Sequence, residues 1–316
     1  MTAALVMQGV TKTFGRIRAL DGLDLEVPRG SIFGLVGSNG AGKTTAMTVA
    51  LGLLRHNAGR IDVLDAGPFR PATHTGLATL LPQDAAFPPH ARVEELLRFY
   101  GQLQGLPVAE LARIIDELLD WVHLQDRRRS PVRTLSHGMK RRLAIAQAFL
   151  GSPELILLDE PLNGLDPREA ARVRDLIRQR RGKQAIVISS HHLSDIEGLC
   201  DRVAFIEHGR LVRQDTIEAI THRGHHLTYL LAEGNVPLTA LAAALPDVTW
   251  TEEPAPRCLR ATFPEKFSAE QLNAVVLRTL LEAGVGILEV RRGTDLESEY
   301  LRLSPATPPV LPERRN

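Results

Sequence analysis

Residues 36–46, VGSNGAGKTTA, contain the residue types that are needed to hold a phosphate group. They fit the pattern G-x-x-x-x-G-K-[ST], whose fixed positions are occupied by Gly37, Gly42, Lys43 and Thr44. Glycine allows backbone conformations that a Cβ forbids, so such a loop can turn its N–H groups inward around an anion. The predicted phosphate-binding loop also includes Ser38, Asn39, Gly40, Ala41 and Thr45.

The chain on both sides of this loop predicts a strand before it and a helix after it. Residues 32–36, IFGLV, are apolar, and the pattern predicts a helix over residues 43–54. The free N–H groups and the dipole at the start of that helix favour phosphate at the same place. We expect Lys43 to reach the β- and γ-phosphates of a nucleotide and the Thr44 hydroxyl to bind Mg²⁺.

A second group of reactive side chains lies in residues 155–161, LILLDEP. The apolar run is typical of a central strand that is buried on both faces. Asp159 and Glu160 then follow at its carboxyl end, where ligands bind in open α/β sheets. Because side chains alternate across a strand, we predict that Asp159 binds Mg²⁺ while Glu160 is the general base for the attacking water.

The wider pattern predicts an α/β core with an all-helical insertion. Strands and helices alternate in residues 1–222, which indicates a mostly parallel sheet, but residues 85–150 show helical spacing only. Residues 223–303 mix strands with an amphipathic helix, which predicts a small α+β domain. The proline-rich residues 304–316 are predicted to be disordered.

Composition excludes several classes of protein. The net charge is +1, so there is no global charge attraction for nucleic acid, and two cysteines suit a reducing compartment. No apolar run is long enough to cross a bilayer and no secretory signal is found, so we expect a cytoplasmic chain. The basic residues 126–133 and 140–142 are interpreted as solvated helix surfaces, and the histidines of residues 221–226 are not expected to bind metal.

At residues 134–142, TLSHGMKRR, the sequence resembles the ATP-binding subunits of ABC transporters. Residues 135–139, LSHGM, look like the signature sequence of that family, and their Ser136 and Gly138 match its phosphate-facing positions. Four other matches are Phe14 as the adenine-stacking aromatic residue, Gln83 of the Q-loop, Asp166 of the D-loop and His191 as the switch histidine. The order and spacing of these motifs match the family over residues 1 to about 220.

This resemblance implies a phosphate-loop NTPase core with an antiparallel β subdomain, the helical insertion and the C-terminal domain. It implies that two ATP-binding domains pair head to tail, with ATP between the phosphate loop of one and the signature of the other. His191 would contact the γ-phosphate, and Gln83 would sense Mg²⁺ and the attacking water. Because the chain has one set of motifs, the resemblance implies a homodimer or a paired subunit. Residues 84–100 would contact the permease.

Two positions depart from the usual signature. His137 and Met139 replace the usual glycine and glutamine, while Ser136 and Gly138 are kept, so we expect an active enzyme. The ending TDLESEYLRL and the signature methionine resemble the exporter branch that works with type-two permeases. For the α+β domain, a structural role in dimerisation or stability and a regulatory role both remain open.

The sequence therefore predicts an ATPase subunit that uses ATP and Mg²⁺ to drive export through a separate membrane permease, peripheral on the inner face of the cell membrane. One alternative is a soluble ABC-type ATPase acting on a ribosome or DNA, but the tandem cassettes or long coiled-coil insertion usual there are missing. The other is a non-catalytic regulator. It would be expected to lack Lys43, Glu160 or His191, which are present.

Overall fold

The structure is a computed structural model of the 316-residue chain. It describes residues 2–221, 226–254, 257–264, 266–293 and 296–303. The chain divides into two compact units between Gln214 and Asp215. The predicted domain boundary at residues 222 and 223, most of the histidine cluster and the predicted disordered tail lie outside the described residues, so the interpretations of all three stay predictions.

The elements that begin in the first unit alternate between strands and helices for most of its length. In chain order they are β1 (Ala3–Phe14), β2 (Ile17–Pro28), β3 (Ile32–Val36), α1 (Lys43–Ala50), β4 (Ala58–Val63), β5 (Ala78–Leu81), α2 (Val93–Leu103), α3 (Val108–Trp121), α4 (His137–Phe149), β6 (Leu155–Leu158), α5 (Pro167–Arg178), β7 (Ala185–Ser190), α6 (Leu193–Glu197), β8 (Arg202–Glu207) and β9 (Arg210–Thr216).

The first unit contains two sheets that share one hydrophobic core. A three-stranded antiparallel sheet has the order β2-β1-β4, and its core-facing side chains include Leu5, Met7 and Val10. A six-stranded sheet has the order β5-β6-β7-β3-β8-β9, with parallel pairing from β5 through β8. The predicted α/β core with an antiparallel β subdomain is confirmed.

The central strands of the larger sheet determine where chemistry can occur. Every residue of β3, β6 and β7 is buried, as expected for strands that are covered on both faces. Val36 lies beside Ser190, and Leu158 lies beside Ile188, so the carboxyl ends of the three strands meet at one edge. The phosphate loop and the two carboxylates both follow that edge.

Helix α1 is shorter than the sequence pattern predicts, because it ends at Ala50 rather than at residue 54. Gly52 has a left-handed φ of 63°, and a Cβ there would lie 2.4 Å from the Phe69 carbonyl oxygen. Glycine thus lets the chain leave the helix one turn earlier than hydrophobic spacing indicates.

Between β5 and β6 the chain forms the helical insertion. Helices α2, α3 and α4 pack around their own core, in which Leu97, Leu111 and Ile115 are fully buried. The prediction of an all-helical segment is confirmed, and α4 carries the signature sequence at its first turn.

The second unit has the α+β composition that the sequence predicts. Its described elements are α7 (Ile217–Thr221), β10 (His226–Leu231), α8 (Leu238–Ala244), β11 (Thr249–Pro254), β12 (Arg257–Thr262), α9 (Ala269–Glu282), β13 (Ile287–Arg292) and α10 (Leu296–Leu303). In this part of the chain a four-stranded antiparallel sheet has the order β11-β12-β10-β13, and its core includes Tyr229, Leu259 and Val276. Within the ranges that the structure describes, none of the helices combines the length and hydrophobicity needed to cross a lipid bilayer.

Candidate nucleotide-binding site

The phosphate loop connects β3 to α1, and two of its glycines are required by the surrounding backbone. A Cβ on Gly37 would lie 2.2 Å from the Ile206 carbonyl oxygen of β8. Gly42 has a φ of 107°, and a Cβ there would lie 2.5 Å from the carbonyl oxygen of Ala19. Any other residue at these positions would displace the loop from the sheet edge.

A cavity of about 380 Å³ lies against the loop. It is lined by Ala19, Asn39, Gly40, Ala41, Gly42, Lys43, Thr44, Thr45, Gln83, Asp159 and Glu160. All of these except Ala19 are residues that the sequence singled out. The fold therefore brings the loop, the Q-loop glutamine and both carboxylates to one concave surface.

Lys43 is buried at the first position of α1. Its ammonium group donates to the carbonyl oxygens of Gly37 at 2.7 Å and Ser38 at 3.2 Å, and it lies 3.8 Å from Glu160 Oε1. Burial lowers the pKa of this lysine, and the nearby Glu160 carboxylate opposes that shift. Gly37 and Ser38 thus contribute to the site by orienting the lysine.

The Asp159 carboxylate is held between two hydroxyl groups. Thr44 donates to its Oδ2 at 2.7 Å, and Ser189, at the end of β7, donates to its Oδ1. In residues 2–221 and the other described ranges, no group of three or more His, Cys, Asp or Glu side chains could hold a metal ion. One hydroxyl and one carboxylate fit Mg²⁺, which usually keeps waters and binds substrate phosphates rather than a full protein cage.

Glu160 is buried and has a positive φ of 47°, which is rare for a residue with a side chain. Its backbone N–H donates to Ser189 Oγ at 2.8 Å. Its Oε1 lies 2.9 Å from His191 Nδ1, so the predicted switch histidine contacts the carboxylate directly. His192 packs against the His191 ring with centroids 3.9 Å apart.

Seven predicted site residues do not line the cavity of their own chain. Gly37, Ser38 and His191 contact residues that do, and the other four have different contacts. Phe14 is 47% exposed, and the Lys12 ammonium lies 4.9 Å from the centre of its ring. Ser136 caps α4 by accepting the Met139 N–H, and Asp166 caps α5 by accepting two backbone N–H groups. The structure places Gly138 against Glu169, since a Cβ on this glycine would lie 2.7 Å from the Glu169 Cγ.

Sequence reasoning missed one residue of the site and misjudged the burial of two arginines near it. Ser189 contacts both carboxylate residues, and its position near the end of a buried strand, two residues before His191, could have indicated it. The interpretation of residues 140–142 as a solvated surface is wrong for Arg141 and Arg142, which are 8% and 4% exposed. Arg142 bonds Glu169 and the carbonyl oxygens of Val122 and His123, while Arg141 bonds the carbonyl oxygen of Pro161. Charge alone did not show that their guanidinium groups have backbone partners.

Comparison with known proteins identifies the family. Residues 20–163 match the family model described as "ABC transporter". The chain is 36% identical to "Daunorubicin resistance ATP-binding protein DrrA3" of Streptomyces coeruleorubidus, over 95% of this chain and 96% of the relative. The chain belongs to the ATP-binding subunits of ABC transporters. This ABC ATPase is also 30% identical to "Nod factor export ATP-binding protein I" of Ralstonia nicotianae, over 96% of this chain and 94% of the relative.

This ABC ATPase is similar to a solved structure described as "Structure of ATP binding subunit of ABC transporter", with a TM-score of 0.63. The two chains are 29% identical, and the match covers 70% of this chain and 93% of that chain. The chain is thus an ATP hydrolase that uses ATP. The predicted resemblance to the exporter branch is confirmed, since its relatives are named for drug resistance and Nod factor export. These relatives give no support to a soluble ATPase acting on a ribosome or DNA.

Proposed function

We propose that this ABC ATPase hydrolyses Mg²⁺-ATP as one of two copies in a head-to-tail pair and drives export through a separate membrane permease. The assignment of the site depends mainly on one observation. The loop residues Lys43 and Thr44 and the carboxylates that follow β6 line one cavity. His191, from the carboxyl end of a third strand, contacts Glu160 of that cavity. Ligands of open parallel sheets bind at such carboxyl ends.

The roles of these side chains follow from their contacts. Lys43 and the loop N–H groups bind the phosphates, and Glu160 accepts a proton from the attacking water. His191 orients the Glu160 carboxylate and contacts the γ-phosphate, and Gln83, which lines the same cavity, senses Mg²⁺ and the attacking water. Thr44 and Asp159, with Gln83, would hold Mg²⁺, which when bound neutralises charge on the β- and γ-phosphates.

The pairing accounts for the residues that lie away from the cavity. Ser136 and Gly138 lie at the start of the 13-residue helix α4, where free N–H groups favour a phosphate. We assign them, with Asp166, to the site of the second copy. The half-exposed ring of Phe14 is available to stack on adenine.

The permease contact is assigned to residues 84–100. Phe87 and Tyr100 pack at 6.3 Å between ring centres, and Phe99, which contacts Tyr100, is 54% exposed. Exposed aromatic side chains of this kind are enriched in protein interfaces. The relatives named for export and resistance support a partner that is a membrane permease and a location on the inner face of the membrane. We retain residues 1–222 as the ATP-binding domain and 223–303 as the accessory domain.

The substitution Glu160→Gln tests the assigned mechanism. The amide keeps the size of the side chain but cannot accept the proton, so kcat should fall by roughly 10² or more while ATP binding persists. Steady-state phosphate release and binding of a fluorescent ATP analogue measure the two quantities. The matched control is Glu154→Gln, at the other end of β6, whose exposed carboxylate pairs with Arg29. Near-normal turnover of the Glu160 variant would exclude Glu160 as the base.

A further inference from the structure

Arg141 lies in α4, about one turn after the start of the helix, and its side chain is almost completely buried. Its Nε donates to the Pro161 carbonyl oxygen at 2.8 Å. Its two terminal nitrogens donate to the carbonyl oxygens of Gln83, Asp159 and Glu160. In the described part of the chain, these bonds to backbone carbonyl oxygens, rather than an ion pair with a carboxylate, satisfy the guanidinium.

The acceptors of Arg141 belong to two separate loops that both line the cavity. Asp159, Glu160 and Pro161 follow β6, and Gln83 follows β5. A planar guanidinium has donors that point in fixed directions, so it can bond both loops at once and hold each at a fixed distance from α4. A lysine ammonium is a single point and cannot span the same set of acceptors.

The backbone at Glu160 needs such support. A positive φ of 47° is unfavourable for glutamate, and a strained residue persists only where the surrounding structure holds it. Ser189 accepts the Glu160 N–H, and Arg141 donates to the Glu160 carbonyl oxygen. Ser189 therefore holds the peptide group before the Glu160 side chain, and Arg141 holds the peptide group after it.

We propose that Arg141 is a positioning residue that holds the Glu160 carboxylate at the attacking water and fixes Gln83 relative to it. The same helix begins with the signature, so α4 connects Ser136 to the peptide that carries Glu160. This proposal depends on the proposed role of Glu160 as the base. Stability alone does not explain the arrangement. Burial lowers the pKa of the guanidinium even though the carboxylates of Asp84, Asp159 and Glu160 oppose that shift. Replacing a buried charge by a well-packed apolar side chain is often neutral or stabilising.

The first experiment compares Arg141→Gln and Arg141→Lys with the unmodified chain. We expect kcat to fall about tenfold or more in both, since misplacement of a catalytic group by about 1 Å has effects of this order or larger. The KM for ATP and the affinity for a fluorescent ATP analogue should change by less than about threefold, because the phosphate loop is untouched. A parallel loss of kcat and ATP affinity would indicate a general structural defect and would contradict the proposal.

The matched control is Arg142→Gln. Arg142 is the next residue of α4 and is equally buried, but its partners are Glu169 and the carbonyl oxygens of Val122 and His123. Thermal unfolding shows whether the two variants lose comparable stability. We expect similar losses of Tm but a much smaller loss of kcat for Arg142→Gln. Equal losses of kcat at equal Tm would overturn the proposal.

A double-mutant cycle separates the positioning role from the role of Glu160 itself. If Arg141 acts through Glu160, the variant that carries both Arg141→Gln and Glu160→Gln should hydrolyse ATP as slowly as Glu160→Gln alone in a single-turnover assay. Multiplicative losses would show that Arg141 acts elsewhere. If Glu160→Gln alone retained turnover, the proposed mechanism would fail. If Glu160→Gln lost turnover while Arg141→Gln kept it, only the positioning role would fail.

Discussion

At the scale of single residues, Asp159 and Glu160 are neighbours in sequence but contact different groups. The Asp159 carboxylate accepts from Thr44 and Ser189, whereas the Glu160 carboxylate lies beside His191 and Lys43. The positive φ of Glu160 turns its side chain away from the direction that a regular strand would give it. The two adjacent carboxylates thus have different partners, as separate tasks require.

Ser189 offers a test at this scale, because its hydroxyl contacts both acidic residues. Ser189→Ala leaves the Glu160 N–H and one Asp159 oxygen without a partner, so we expect the free energy of unfolding to fall by about 1–3 kcal/mol. We also expect kcat to fall about tenfold as Glu160 loses its position. Chemical denaturation and steady-state turnover measure these effects.

Ser190→Ala is the control for this prediction. The Ser190 hydroxyl bonds only the backbone of His192 among the contacts described, and it touches neither carboxylate. This variant should lose some stability and keep most of its turnover. If Ser190→Ala slows hydrolysis as much as Ser189→Ala, the contact with the carboxylates is not the cause.

At the scale of elements, Arg128 joins the helices of the insertion through charged contacts with Glu94 of α2 and Asp116 of α3. Arg128, in the segment between α3 and α4, makes two hydrogen bonds to Glu94 in the first turn of α2, at 2.6 and 3.0 Å. Arg128 holds the pKa of Glu94 at about 2, with a further contribution from Arg98. The contact fixes the start of α2 against the segment that leads to the signature helix.

Glu94→Gln should therefore show a stability loss that depends on pH. The folded pKa of about 2 lies below the ordinary value of 4.5, so the ionised carboxylate stabilises the fold above pH 4.5. That contribution decreases as pH falls toward 2. Urea unfolding should show Glu94→Gln less stable than the unmodified chain at pH 7, and the difference should shrink through this window.

Glu117→Gln is the matched surface control. Glu117 pairs with Arg113 on α3, and both side chains are more than 60% exposed, so this pair should contribute little. A difference between Glu94→Gln and the unmodified chain that stayed constant from pH 7 to pH 2 would mean that ionisation of Glu94 is not responsible.

At the scale of the whole molecule, the distribution of site residues points to pairing. The phosphate loop and carboxylates line one cavity, while Ser136, Gly138 and Asp166 lie outside it. Under the proposed head-to-tail arrangement, each complete site takes its loop from one copy and its signature from the other.

Mixing two inactive variants tests this arrangement. Lys43→Ala removes the side chain that is proposed to bind the phosphates. Ser136→Arg places a bulky cation at the signature. The second variant also loses a helix cap, which should lower the free energy of unfolding by about 1 kcal/mol. Each variant alone should be inactive. A mixed pair contains one site with both parts intact, so turnover should reappear on mixing. Turnover equal to the sum of the separate variants would contradict the shared site.

The sequence by itself determined the residues that could do chemistry and the order of the elements that carry them. The phosphate loop, the carboxylates after LILL and the helical spacing of residues 85–150 are local patterns, because each depends on backbone geometry within a few turns. The same holds for the α+β pattern of the second unit, although the short α8 was not predicted since a run such as LTALAAA carries little periodicity.

Only the tertiary structure decided how these residues are held. The early end of α1 depends on the approach of Phe69 to Gly52, and the contacts of Ser189 depend on β6 and β7 being neighbours. The burial of Arg141 depends on carbonyl oxygens from two loops that are distant in sequence. The basic residues 140–142 match the pattern of a solvated surface, because their sequence does not show that the fold places backbone carbonyl oxygens beside two of them. The positions of hydrogen-bond partners across the chain are therefore the information that local sequence patterns lack.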